Sequence, residues 1–193
     1  MMKSVRHLVS VFAFALLLSA GESLVVDTSQ TKIEFTLPSL LHTVHGEFRM
    51  KRASLLFDAP SGKLSGELVI DATSGESGSA ARDKRMHSAI LESAKYPEIV
   101  FRPDRVEGSV AGTGKSSVKL HGIFSIHGGD HEILVPATID AAGGAYTVSA
   151  NFEVPYVKWG MKNPSTLILR VNDTVEIHVQ THVSATSAVH SGN

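Results

Sequence analysis

Hydrophobic residues return at every second position through most of the chain. Ile33, Phe35 and Leu37 alternate with Lys32, Glu34 and Thr36, while Leu64, Leu68 and Ile70 share a face opposite Ser65 and Glu67. Successive side chains of an extended strand point to opposite faces, so this alternation predicts strands with one face buried and one wet. The pattern recurs at Leu55 and Phe57; Ile99 and Phe101; Val118, Leu120, Phe124 and Ile126; Ile133 to Ile139; Tyr146 to Val154; Leu167, Leu169 and Val171; and Val175, Ile177 and Val179. Turn-forming residues separate nearly every pair: Asp58 to Gly62, Gly108 to Gly114, His127-Gly128-Gly129-Asp130, Ala142-Gly143-Gly144 and Val171-Asn172-Asp173. About eight to ten antiparallel strands are predicted.

One segment follows a different period. Ser79 to Leu91 is rich in Ala, Arg, Lys and Met and repeats Arg82, Met86 and Ile90 every fourth residue, which predicts one short helix over 79–91. Tyr96-Pro97 closes the insertion, because the residue before proline is pushed out of helical angles. So many strands in one domain must pack as two sheets or close into a barrel, since open edges invite aggregation. The expected fold class is all-β, of about eight strands if it closes, a number whose interior admits side chains or one slender ligand. Periodicity alone does not separate a barrel from a filled sandwich.

The ends of the chain differ from its middle. Lys3 and Arg6 precede an apolar run from Leu8 to Leu18, followed by small residues at Ser19, Ala20 and Gly21, the pattern of a secretory signal peptide over 1–23. The run is about half as long as the ~20 residues that a membrane-spanning helix needs. A folded domain is expected over 24–184, followed by a Ser- and Ala-rich, frayed tail over 185–193. The expected location is therefore periplasmic or extracellular.

Composition narrows the chemistry. In 193 residues there is no cysteine, which removes disulfides, thiolate metal sites and thiol nucleophiles. A net charge of −1 with 19% charged residues gives no basic stripe for nucleic acid or for an anionic membrane surface. Gly112-Thr113-Gly114-Lys115-Ser116 ends like a phosphate-binding loop, but Ser109 stands where that motif begins with glycine and a strand follows where a helix is required. Gly75-Glu76-Ser77-Gly78 resembles the setting of a serine nucleophile, yet Ser79 replaces the second glycine of the elbow. His178 and His182 are four apart, about 13 Å on a strand and too far to share a zinc ion. His127, Asp130 and His131, with His42 and His45, are the remaining metal candidates, weighed against the ordinary use of polar residues in turns. No cofactor, metal or catalytic residue is expected.

Several of these segments, taken together, carry a resemblance. Val26-Asp27 with Ile33-Glu34-Phe35, His45-Gly46-Glu47-Phe48, Arg82-Asp83 through His87 to Tyr96-Pro97-Glu98-Ile99-Val100-Phe101, and Phe124-Ser125-Ile126-His127-Gly128 are similar in order and spacing to the YceI-like family. The resemblance implies an extended, lipocalin-like antiparallel β-barrel with a long apolar tunnel that holds a polyisoprenoid, such as a polyprenyl lipid or an isoprenoid quinone. It also leaves room for a homodimer and for transient membrane contact. On this reading the tunnel wall is drawn from Phe35, Phe48, Phe57, Leu68, Ile70, Met86, Ile90, Leu91, Phe101, Phe124 and Trp159. The polar head of the ligand would meet His45, Arg82, Asp83 or His87. Two departures from the family pattern fall at Gly129-Asp130-His131-Glu132 and at Tyr156-Val157-Lys158 before Trp159-Gly160. The alternatives are an envelope interaction protein with a filled barrel, and a hydrolase built on His45, His87, Asp83 or the His127–His131 turn.

Overall fold

The alternating segments pair into one antiparallel sheet that closes on itself. The computed structural model describes residues 21–39, 43–166 and 170–186. Its strands are β1 (Glu22–Val26), β2 (Lys32–Leu37), β3 (Val44–Asp58), β4 (Lys63–Glu76), β5 (Glu98–Glu107), β6 (Gly114–Ile126), β7 (Gly129–Ala142), β8 (Ala145–Val154) and β9 (Val175–Thr186). Each of β2 to β9 is bonded to its neighbours in the circuit, and β3 pairs with β4 to complete the ring. Nine strands fill eight positions because β1 and β2 share one slot: β1 bonds to residues 55–57 of β3 and 183–186 of β9, β2 to residues 44–48 and 176–180. Between them the Asp27 carboxylate accepts from the backbone N–H groups of Ser29 and Gln30, so the chain bulges out and rejoins the same slot.

The tight turns follow from backbone chemistry. His127-Gly128 and Gly143-Gly144 are two-residue hairpin loops with φ of 52° and 78°, and of 59° and 83°. Positive φ at both central positions matches the twist of the flanking strands, and glycine adopts it without steric cost. Helix α1 (Ala80–Arg85) is shorter than the expected 79–91 and passes directly into one π-helical turn, Met86–Ile90. The β8–β9 connection differs more from expectation. Val171 makes only a single bridge to Ser39, residues 167–169 lie outside the described residues, and Val171-Asn172-Asp173 ends a long connection where a hairpin turn was expected. The expected tail from 185 is still strand at Ala185 and Thr186, and the expected signal segment and His42 lie almost wholly outside the described residues.

Inward residues form two zones. Towards the β3–β4, β5–β6 and β7–β8 turns, Leu55, Leu64, Val118, Ile139, Ala141 and Val183 are buried. None of the six lines the cavity at the other end. Towards α1 the lumen opens.

Candidate functional site

The open half of the barrel is a cavity of about 590 Å³. Its wall takes alternate residues from β2, β3 and β4 (Ile33, Phe35, Phe48, Met50, Leu68, Ile70) and from β5 to β9 (among them Phe101, Phe124, Val135, Ala150 and Ile177). On β8 the lining runs from Val148 to Val154, about 20 Å of strand. At the ~30 Å³ that one heavy atom with its hydrogens occupies in liquid water, the volume takes about 20 such atoms, or roughly four five-carbon units. Among its lining residues only Arg82 and Arg85 are charged. Ser77, Ser79, Arg82 and Arg85 line one end of it, and Ser39 and Thr181 are the other polar lining residues.

That end is capped by α1 and the π turn, whose Met86 and Ile90, with the following Leu91, face the lumen. Three sets of contacts hold the cap. Arg82 donates from Nε to the Ser77 hydroxyl and from Nη2 to the Ser77 carbonyl, both at 2.7 Å. Asp83 accepts from the Ser77 N–H at 3.0 Å and from the Ser77 hydroxyl. His87 donates from Nε2 to the Gly75 carbonyl at 2.8 Å, which leaves Nδ1 to accept the Ser93 hydroxyl at 3.0 Å. Two glycines let aromatic rings lie flat against the wall: a Cβ at Gly46 would sit 2.4 Å from the Phe35 ring, and one at Gly75 would sit 2.4 Å from the Phe48 ring.

The neighbouring loops close the same end by stacking. Tyr96 lies on Gly128 and packs against His127 with ring centroids 4.8 Å apart, and His127 Nε2 meets Glu92 at 2.7 Å. The Tyr-Pro and Ile-His-Gly segments that carry the resemblance are thus in contact. Trp159 stacks on His131 at 4.1 Å with the rings 4° from parallel, and also reaches Phe124 at 5.8 Å. His131, in the first departure from the family pattern, thus packs against Trp159, the residue that directly follows the second. Burial lowers the His131 pKa, since its Nε2 is enclosed without a partner, so the ring stays neutral. Burial likewise pushes the Tyr156 phenol up to about 12, and it donates to the Asn172 carbonyl at 2.7 Å.

Of the eleven side chains expected on the tunnel wall, Phe35, Phe48, Leu68, Ile70, Met86, Ile90, Leu91, Phe101 and Phe124 line the cavity. Phe57 does not. It lies on the far half of β3, paired with Glu22 and Leu64, in the buried zone. Trp159 backs the wall through Phe124 without lining it. Of the polar candidates only Arg82 lines the cavity. Asp83 and His87 tie the cap down instead, Asp83 to Ser77 just beyond β4 and His87 to Gly75 within it. His45 is exposed and bonded to Thr36, because Val44, Gly46 and Phe48 take the inward positions of that strand and leave the intervening residue outside. Sequence reasoning missed Arg85, which stands one turn after Arg82, and the inward faces of β8 and β9, which were read as strands without being assigned to the site.

The residues considered for catalysis are dispersed. His45 is on the outer wall, His87 is committed to the cap, His127 to Glu92 and His131 to Trp159. His178 and His182 bond to Asn151 and Thr147 on the exposed face. Among the described residues no three His, Cys, Asp or Glu side chains come together as a metal site.

Comparison with known proteins agrees with this architecture. The model of the YceI-like domain matches residues 24–183. A UPF0312 protein from Pseudomonas savastanoi pv. phaseolicola is 30% identical over 148 residues, covering 70% of this chain and 75% of the relative. Among solved structures, BcnA from Burkholderia cenocepacia superposes with a TM-score of 0.68 at 20% identity, over 81% of this chain and 98% of that one. A polyisoprenoid binding domain from Saccharophagus degradans, implicated in plant cell wall breakdown, gives 0.68 at 16% identity, over 86% and 99%.

Proposed function

The chain belongs to the YceI-like family, and from that premise we propose that it is an exported binding protein that holds the apolar chain of an isoprenoid lipid in the barrel lumen, as a carrier or reservoir. The observation that carries this reading is the cavity itself: about 590 Å³ of apolar lumen, about 20 Å long on β8, inside a closed barrel. Protein interiors are normally packed to the density of organic crystals. A lumen this size, beside a buried second zone, is a feature of the fold with a use. The solved polyisoprenoid binding domain of the same fold supports the choice of ligand.

The energetics favour a long chain. Each five-carbon unit removed from water is worth ~4 kcal/mol gross, at ~0.8 kcal/mol per buried carbon. Association and chain ordering consume ~4–15 kcal/mol, so one or two units bind weakly and four bind well. Export is proposed from the basic start, the apolar run and the small residues at 19–21. β1 begins at Glu22, so a cut at Ala20 or Gly21 leaves the barrel whole, whereas one after Ser23 would remove two residues of β1. The test is a titration with prenyl alcohols of one to five units. Saturable one-to-one binding that tightens up to four units and then levels off supports the reading; affinity independent of length, or no saturation, overturns it.

A further inference from the structure

The barrel wall has one weak seam. Strand β7 is bonded to β6 along its whole length, Gly129–Ala142, but to β8 only over Ala137–Ala142. Strand β8 is bonded to β9 from Ala145 to Val154, yet reaches β7 only as far as Ala150. Continued in the same register, Phe152 would oppose Val135 and Val154 would oppose Ile133, but no ladder joins them among the described residues. The unpaired stretch takes up about 13 Å of β8. All four of these side chains line the cavity, so the seam lies in the wall of the lumen itself. Two prolines bracket it: Pro136, next to the last bonded pair, has no N–H to donate, and Pro155 follows the last residue of β8.

Aromatic side chains bridge the seam in place of the ladder. The chain leaving β8 turns back through 156–160, and its Trp159 stacks on His131 near the start of β7. Trp159 also reaches Phe124 of β6 at 5.8 Å, and Phe152 of β8 meets the same ring edge-on at 6.1 Å. This closure leaves His131 Nε2 enclosed without a hydrogen-bond partner, a cost that parting the stack to water would remove. The outer lip is apolar as well. Leu134 and Pro136 take the outward positions of β7 there, between Glu132 and Thr138, and Leu134 is 41% exposed.

We propose that the isoprenoid tail enters and leaves the lumen sideways, through the β7–β8 seam, with Trp159 as its plug. This rests on the tail-binding reading above and adds the route. Parting the seam breaks ring contacts and no backbone ladder. The route past the cap must instead undo the ties of Arg82, Asp83 and His87, and a hydrogen bond to a charged group outweighs an aromatic pair. A lateral route also lets a long chain slide in along its length, where an axial one would have to thread it end first.

The test follows geranylgeraniol as it passes from the loaded protein to phosphatidylcholine vesicles. Trp159→Ala is expected to raise the transfer rate about threefold to tenfold, the rate equivalent of one aromatic pair. The equilibrium partition between protein and vesicles should stay within about twofold, because Trp159 does not line the cavity and a gate changes both rates together. A reversible bridge should act with the opposite sign. Leu134→Cys and Glu153→Cys place thiols at exposed positions on the two sides of the seam, in a chain with no cysteine of its own. Joining them with a bis-methanethiosulfonate reagent is expected to slow transfer by at least the same factor, and reduction to restore it. If Trp159→Ala fails to fold, the bridge decides alone. A bridge without effect, or a folded Trp159→Ala at the wild-type rate, would overturn the lateral route and leave tail binding standing; faster transfer in His87→Gln would then place the route at the cap. Failure of geranylgeraniol to load would overturn both.

Discussion

Ala150 sits midway along β8 with its methyl group on the cavity wall, between Ala137 of β7 and Val179 of β9. Replacing it with phenylalanine inserts six more carbon atoms into a lumen that takes about 20 heavy atoms, so about 14 remain. That is less than three isoprene units. In a packed core the same enlargement would force side chains off their rotamers and cost ~1–3 kcal/mol or more. In an open lumen the ring has room, and its burial stabilises by up to ~1.5–3 kcal/mol. The expectation is therefore twofold: Ala150→Phe leaves the ligand-free protein at least as stable as wild type, and it abolishes discrimination between three-unit and four-unit prenyl alcohols. The fourth unit contributes ~4 kcal/mol gross, and with ordering costs taken off it should still give the wild-type protein tenfold or better. Urea unfolding measures the first quantity and a chain-length titration the second. Loss of more than ~3 kcal/mol on substitution, or an unchanged preference for four units over three, would refute the picture of an open lumen bounded by β8.

Three further outcomes follow from particular contacts. Gly46→Ala places a Cβ 2.3 Å from the Glu76 carbonyl and 2.4 Å from the Phe35 ring; it should destabilise by ~1–3 kcal/mol in urea unfolding and weaken tail binding, and a neutral result would contradict the Phe35 placement. His121 is bridged to Asp104 at 2.7 Å and Glu132 at 2.7 Å, which raise its pKa above 6.5 in that order, while Arg105 partly opposes them. The bridge therefore stabilises fully below pH 6.5 and its contribution is lost as pH rises through the raised folded value, so the wild-type melting temperature should fall across that window more than that of His121→Gln. Trp159 is the only tryptophan, and the burial that lowers the His131 pKa delays quenching by imidazolium; its fluorescence should stay flat on acidification through pH 6.5 and drop only below it, whereas a midpoint at or above 6.5 would contradict the buried stack.

The strands were legible because a barrel wall imposes the same alternation on every residue that builds it. Ile33 and Phe35, or Val148, Ala150 and Phe152, could point in only if Glu34, Ser149 and Asn151 pointed out, and they do. Parity within one strand also decides His45, whose exclusion from the lumen follows once Phe48 is known to face it. What alternation does not encode is depth along the barrel axis. Phe57 and Phe48 look alike in the sequence, yet one stands in a buried zone and the other on an open lumen. That difference arises from the burial of Leu55, Leu64, Val118 and Val183 at one end of the barrel, on four strands far apart in the chain. The irregular segments were the least legible. Trp159 reaches His131 through a connection with no period, and the π-helical turn that presents Met86 and Ile90 to the lumen has no counterpart in the every-fourth-residue repeat.

The most direct measurement is native mass spectrometry of the protein recovered from the envelope fraction of its own host, followed by organic extraction and identification of what is released. The account predicts one isoprenoid amphiphile per chain, with at least four isoprene units. A chain recovered at its bare mass, and still bare after incubation with geranylgeraniol, a four-unit prenyl alcohol, would contradict it.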